Sequence, residues 1–187
     1  MTDLPWWRLF DLVKGVLRSF IWFRKASLKH ISAIHSGARI KEWKGSVMLG
    51  HKCELHERVM ISATGTPEKK ALVQIGNQTT IWYNTVISAR HEIIIGDNCA
   101  ISWNCTIIDD DMHTIVYPSN YTPKERGNFV HLGNRVWLGA NVTVLKGVTI
   151  ADDVIVAAGS VVTKDLASKW IYAGNPAKPI AQVETWY

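Results

Sequence analysis

Cysteine is scarce in this sequence. Its 187 residues contain three, Cys53, Cys99 and Cys105, and no two form a CxxC pair. That excludes a disulfide framework and fits a reducing compartment. A long uninterrupted apolar run is also missing. Asp11, Lys14, Arg18 and Arg24 break up the apolar N-terminus, so no spanning helix is expected there. The first residues carry no leader pattern, because Asp3 and Pro5 precede any apolar stretch. A cytoplasmic location is the expectation. Charge is modest too: 21 Lys and Arg against 16 Asp and Glu give a net +5. No basic patch accompanies a nucleic-acid motif, so nucleic acid is not an expected partner. The small excess suits an anionic ligand, an acidic membrane surface or an ordinary solvated exterior. With 47% hydrophobic and 20% charged residues, the composition excludes disorder.

What is abundant is a repeat of six. Aliphatic residues recur as Leu49, Leu55, Ile61; as Ile75, Ile81, Ile87; as Ile95, Ile101, Ile107; and as Leu132, Leu138, Val144, Ile150, Val156, Val162. The next position is often small, as in Gly50, Gly76, Gly96, Gly133 and Gly139. Four positions after the aliphatic residue stands another small or β-branched one, such as Val59, Thr79, Thr85, Val136 or Ser160. All three cysteines fall in that slot, which reads as packing rather than catalysis. A period of six is neither helical nor a simple meander. It predicts short parallel strands joined by tight corners, three to a triangular turn, stacked about 4.8 Å apart. Asn77-Gln-Thr, Asn104-Cys-Thr and Asn141-Val-Thr then read as corners rather than glycosylation sites.

The interruptions divide the chain into 1–30, 31–170 and 171–187. Residues 4–30 have helical apolar spacing with Arg8, Lys14, Arg18 and Lys25 among Trp6, Trp7 and Trp22. This predicts an amphipathic helix, either in a membrane interface or packed on protein. The largest break, a loop over 109–131, carries Asp109, Asp110, Asp111, His113 and two tyrosines. A long loop in a compact repeat domain points to function. After Asp165 the hexads stop, and the Pro- and Gly-punctuated end reads as a cap.

The stretches Val136-Trp-Leu-Gly-Ala-Asn-Val-Thr-Val-Leu-Lys-Gly-Val-Thr-Ile, Ala157-Ala-Gly-Ser-Val-Val-Thr-Lys-Asp and Ala173-Gly-Asn-Pro-Ala-Lys resemble the hexapeptide-repeat acyltransferases, sugar O-acetyltransferase branch. The resemblance covers roughly 31–181. It implies an all-β fold, a left-handed parallel β-helix with an N-terminal α-helix and a long active-site loop. It also implies acetyl-CoA as co-substrate, a homotrimer and active sites between subunits. Residue by residue, His113 matches the catalytic histidine, although Met112 and Thr114 replace the usual Gly and Pro. Asn84 matches an acceptor-site asparagine. Ala140 and Ala158 match positions whose amides meet the CoA arm, and Thr163, Lys164 and Lys178 match the nucleotide end.

Acetyl transfer to a hydroxyl needs a base, and histidine titrates in the right range. A carboxylate would orient it. Asp111 is the candidate if the loop turns sharply, with a carboxylate from another subunit as the alternative. Asp109 and Asp110 are placed with Asn84 and Trp103 as acceptor contacts. Two readings stay open for Trp82, Trp103 and Trp137: stacking on sugar or the CoA arm, or corner packing. No metal is expected. The acceptor is a small or lipid-linked sugar, with peripheral contact at the inner membrane face through 4–30. The alternatives are N-acetylation of an amino sugar or amino acid, a non-catalytic scaffold, and a γ-class carbonic anhydrase using His51 and His56. That last reading lacks a third histidine near residue 15.

Overall fold

The computed structural model describes residues 32–123 and 126–186, and all regular structure in them is strand. The helix expected over 1–30 lies outside the described residues. The chain coils through three sheets in turn. The first contains β1 (Ala33–Ile34), β4 (Glu54–Leu55), β7 (Thr80–Ile81), β10 (Ala100–Ile101), β13 (Trp137–Leu138), β16 (Ile155–Val156), β18 (Trp170–Ala173) and β19 (Lys178–Gln182). The second contains β2 (Arg39–Trp43), β5 (Met60–Thr64), β8 (Val86–Ala89), β11 (Thr106–Ile108), β14 (Thr143–Val144) and β17 (Val161–Val162). The third contains β3 (Gly45–Leu49), β6 (Ala71–Ile75), β9 (Glu92–Ile95), β12 (Phe129–Leu132) and β15 (Val148–Ile150). Three consecutive strands make one rung of a left-handed parallel β-helix.

Register explains the period of six. Ile34, Leu55, Ile81, Ile101, Leu138 and Val156 stand directly above one another in the first sheet. Ile61, Ile87, Ile107, Val144 and Val162 do the same in the second. Nearly all of these side chains are fully enclosed, each worth about 1.5–3 kcal/mol of transfer free energy. Tyr172 ends the first column, and its hydroxyl accepts from Ala167 N–H at 2.9 Å. A wide aromatic ring thus plugs the last rung. β19 then turns back antiparallel to β18.

The corners use two devices. Where the first sheet meets the second, Arg58, Asn84, Asn104 and Asn141 have φ of 58–59° and Gly159 has 73°. Asparagine tolerates that left-handed region better than most residues, which accounts for Asn104-Cys-Thr and Asn141-Val-Thr, whereas Asn77-Gln-Thr lies at the other corner, where Gln78 takes the φ of 55°. Where the third sheet returns to the first, side-chain carbonyls form a ladder. The Asn77, Asp97, Asn134 and Asp152 oxygens accept from the N–H groups of His51, Asn77, Asp97 and Asn134 at 2.6–2.9 Å. A Cβ on Gly76 would lie 2.3 Å from Asp97 Oδ1 and 2.5 Å from Gly96 C. The small residue before each ladder step is therefore a steric necessity.

Candidate active site

The expected residues separate onto two corners. Asn84, Trp103, Ala140 and Ala158 lie where the first sheet passes into the second. Asp109, Asp110, Asp111, His113, Thr163 and Lys164 follow the far ends of β11 and β17, where the second sheet passes toward the third. Lys178 is on exposed β19.

At the first corner, Asn141 N–H donates to Trp103 O at 3.0 Å and Gly159 N–H to Ala140 O at 2.8 Å. Trp103, Ala140 and Ala158 thus occupy equivalent positions on successive rungs, and Trp103 is 51% exposed. No described residue accepts from the Ala140 or Ala158 N–H. Asn84 Nδ2 donates to Asn104 Oδ1 at 3.1 Å. The other two tryptophans each meet an aromatic neighbour, Trp137 while still 40% exposed. Trp82 stacks on His56 with centroids 4.1 Å apart. Trp137 lies against Trp186 at 5.9 Å, and its indole N–H donates to Ser102 Oγ at 3.4 Å.

At the second corner, a cleft of about 350 Å³ is lined by Asp111, His113, Tyr117, Arg126 and Lys146, among others. His113 is exposed, and its Nδ1 lies 3.4 Å from the Asp111 backbone carbonyl. The carbonyl can only accept, so Nδ1 is the donor in this contact, and in the neutral ring Nε2 is then the acceptor. The Asp111 carboxylate is engaged elsewhere, 2.5 Å from Lys146 Nζ. The expectation of an Asp111 carboxylate orienting His113 is therefore corrected. Two residues of separation place the carbonyl, not the side chain, beside the ring.

Asp109 is a second correction. It is completely buried and accepts from the N–H groups of Arg90, His91 and Glu92 at 2.7–2.8 Å. It shapes the turn between β8 and β9 and presents nothing to an acceptor. Asp110 accepts from Met112 N–H at 2.6 Å and lies 3.4 Å from His91 Nε2. His91 also contacts Asn128 at 3.2 Å, so it joins both stems of the loop. Lys146 and His91 were not singled out for this site from sequence, since each meets the loop only through stacked rungs; Arg126, inside the loop, was missed because its partner Thr163 stands 37 residues away.

The cysteines stay inert. Burial pushes Cys99 and Cys105 up to about 11 and raises Cys53 as well. Their thiols donate to the carbonyls of Gly133, Gly139 and Gly76 at 3.0–3.2 Å. A thiolate nucleophile at neutral pH is disfavoured. Away from the cleft, His35, Glu54 and His56 gather within 4.8 Å. The two imidazoles lie face to face, 4.8 Å apart and within 3° of parallel. Parallel planes do not aim both ring lone pairs at one ion, and His51 is not part of this group.

Residues 129–164 match the bacterial transferase hexapeptide family (six repeats). The galactoside O-acetyltransferase of Escherichia coli (strain K12) is 30% identical over 115 residues, 59% of this chain and 54% of that protein. The chain thus spans about half the length of that relative. The "Putative acetyltransferase SACOL2570" of Staphylococcus aureus (strain COL) is 33% identical over 146 residues, 65% of this chain and 73% of that protein. Among solved structures, a mutant perosamine N-acetyltransferase from Caulobacter crescentus, in complex with CoA and GDP-perosamine, has a TM-score of 0.60 at 25% identity. It covers 89% of this chain and 64% of its own. The N-acyltransferase AntD from Bacillus cereus, solved with dTDP and 3-hydroxybutyryl-CoA, shares the fold with a TM-score of 0.65 at 23% identity, covering 82% and 80%. Identity sustained over most of a relative's length, on a coil with the same repeat, makes this chain a member of the bacterial hexapeptide transferase family.

Proposed function

We propose that the protein transfers an acetyl group from acetyl-CoA directly to a hydroxyl of a sugar. The observation that carries this reading is His113, exposed on the cleft with Nδ1 against a carbonyl and Nε2 available as a base. Nε2 takes the hydroxyl proton while the oxygen bonds to the acyl carbon and the carbon–sulfur bond breaks. The proton then passes to the departing thiolate. The 3.4 Å contact at Nδ1 is long, as such contacts often are before reactants bind. The charge developing on the acyl oxygen needs an N–H donor. The small side chains and outward N–H groups of Ala140 and Ala158 fit an extended amide-bearing arm, with Thr163, Lys164 and Lys178 assigned to its nucleotide end. No step passes through the buried cysteines.

The amide shelf and His113 occupy different corners of the same chain. This favours a site completed by two copies, hence a homotrimer. A second reading, N-acetylation of an amino sugar, is favoured by the likeness to the perosamine enzyme. The basic, Trp-rich 4–30 segment adds lipid-linked precursors at the cytoplasmic membrane face to the acceptors considered. Deletion of 1–30 with unchanged membrane partitioning removes that part.

The test is CoA release from acetyl-CoA with sugars and amino sugars, comparing wild type with His113→Ala. Sugar-dependent release that collapses in a folded, CoA-binding variant supports His113 as the base. Release that persists in the variant assigns the base elsewhere, and wild type that neither binds CoA nor transfers refutes the reading.

A further inference from the structure

Beyond that reading, we infer a separate saccharide-binding cleft on the outer face of the first sheet, beside the C-terminal tail, that takes an uncharged sugar ring. The amide shelf and His113 use two corners of the coil. This cleft lies at the third, where the third sheet returns to the first. Register explains the recess. The outward position before each inward aliphatic residue of the first sheet is Glu54, Thr80, Ala100, Trp137 and Ile155 on successive rungs. Thr80 and Ala100 are the small members, so the face is hollow there and Trp137 makes the next step. Gln78, Asn98 and Arg135 share one corner position, with φ of 55°, 56° and 52°, and line the same cleft. The tail adds Trp186. After β19, Val183 N–H donates to Lys169 O at 3.0 Å, and the Trp186 indole N–H donates to Arg135 O at 2.7 Å. The cleft measures about 420 Å³, within the range of small-molecule sites, about 300–1,000 Å³.

The groups on offer suit a neutral, hydroxyl-rich ring. The Gln78 and Asn98 amides and the Thr80 hydroxyl line the cleft, and none of these side-chain groups bonds to another residue. Each amide presents two N–H donors and a carbonyl acceptor, which matches adjacent sugar hydroxyls that both donate and accept. Trp186 lies 5.9 Å from Trp137 with the ring planes 46° apart, so the pair does not stack face on face. Its indole lines the cleft and supplies flat apolar surface for the C–H face of a sugar. Charge argues against a phosphate or nucleotide. Among the described residues, Arg135 is the charged group lining the cleft, and its guanidinium is forked onto Asp153 at 2.6 and 2.8 Å. A fork already filled by a carboxylate is not open to a phosphate. Within one chain this cleft and His113 lie at different corners, so a ring held here belongs to a longer glycan. Binding at the cleft does not require acetyl-CoA and is testable apart from transfer.

The experiment is calorimetric titration of the full chain, without acetyl-CoA, with neutral gluco- and galacto-configured di- and tetrasaccharides. Wild type is expected to bind at least one of them, and excess ADP should leave that affinity unchanged. Trp186→Ala should weaken binding by about tenfold or more, as loss of a buried aromatic contact does. Ala100→Trp gives that rung the side chain its neighbour carries at Trp137; it should fill the recess and abolish binding. Asn98→Gly keeps the left-handed φ while removing the amide, and should cost about two- to tenfold. Thermal unfolding confirms that each variant is folded, and Asn98→Gly carries the test if Ala100→Trp is not. Wild type that binds none of the saccharides overturns the inference. So does binding that survives Ala100→Trp, or that is lost in His113→Ala instead, which assigns the sugar to the other cleft. Competition by ADP overturns it too, by assigning the cleft to a nucleotide. Saccharide binding lost in Ala100→Trp, in a chain that transfers no acetyl group, supports this inference while refuting the proposed reaction. Acetyl transfer to a sugar with no saccharide bound at this cleft does the reverse.

Discussion

Lys146 Nζ lies 2.5 Å from Asp111 Oδ2, so a residue between β14 and β15 holds the loop that leaves β11 one rung earlier. The pair fixes the backbone whose carbonyl meets His113. Asp111→Asn should lower kcat by about two- to fivefold, the range of a partly exposed ion pair. Lys146→Met should act similarly, and the double variant should be little worse than either. A carboxylate acting on the imidazole itself would instead cost about a thousandfold or more. Steady-state kinetics on the three variants separates the two.

Asp109 carries a structural load in the turn before β9. Asp109→Ala leaves the N–H groups of Arg90, His91 and Glu92 without their acceptor. Destabilisation of about 3 kcal/mol or more is expected, at roughly 1–3 kcal/mol per orphaned group. Urea denaturation measures it. A variant of unchanged stability with a raised acceptor KM would return Asp109 to the substrate.

The thiols set an alkaline limit. Burial raises Cys99 and Cys105 from 9.0 to about 11. The folded protein therefore holds these protons more tightly than the unfolded chain. Their contribution is intact below pH 9 and is lost as pH rises from 9 through about 11. Unfolding midpoints across that window should fall, with a shallower decline in Cys99→Ala and Cys105→Ala. Both variants should keep acetyl transfer at neutral pH.

Gly76→Ala should destabilise by about 1–3 kcal/mol, the range for overpacking. Its Cβ would meet Gly96 C at 2.5 Å and Gly96 O at 2.6 Å, which are backbone atoms of the next rung. Thermal unfolding checks this. Gly159→Ala is a useful contrast, because nothing lies within 4 Å of its Cβ and only the φ of 73° opposes it.

The sequence made the coil legible because its period reports which side chains face inward, and Ile81, Ile101 and Leu138 occupy one column as the spacing required. The N-X-T corners were readable for the same reason. The loop was only half readable. Asp109 looked like any other acid there, and its burial depends on N–H groups 17–19 residues earlier. Every residue has a carbonyl, so nothing in the letters marked the one at Asp111 as the partner of His113. Arg126 meets Thr163, 37 residues away, only because the loop folds back over the rungs.

A stack of parallel rungs has no intrinsic end, since each exposed edge is a template for another. β19 runs against β18 and so breaks the parallel series. It presents Lys178 and Pro179 on a fully exposed strand, and proline offers no N–H to a newcomer. The reversal at the C-terminus turns a potentially polymerising surface into a terminated one, guarding solubility as well as shape.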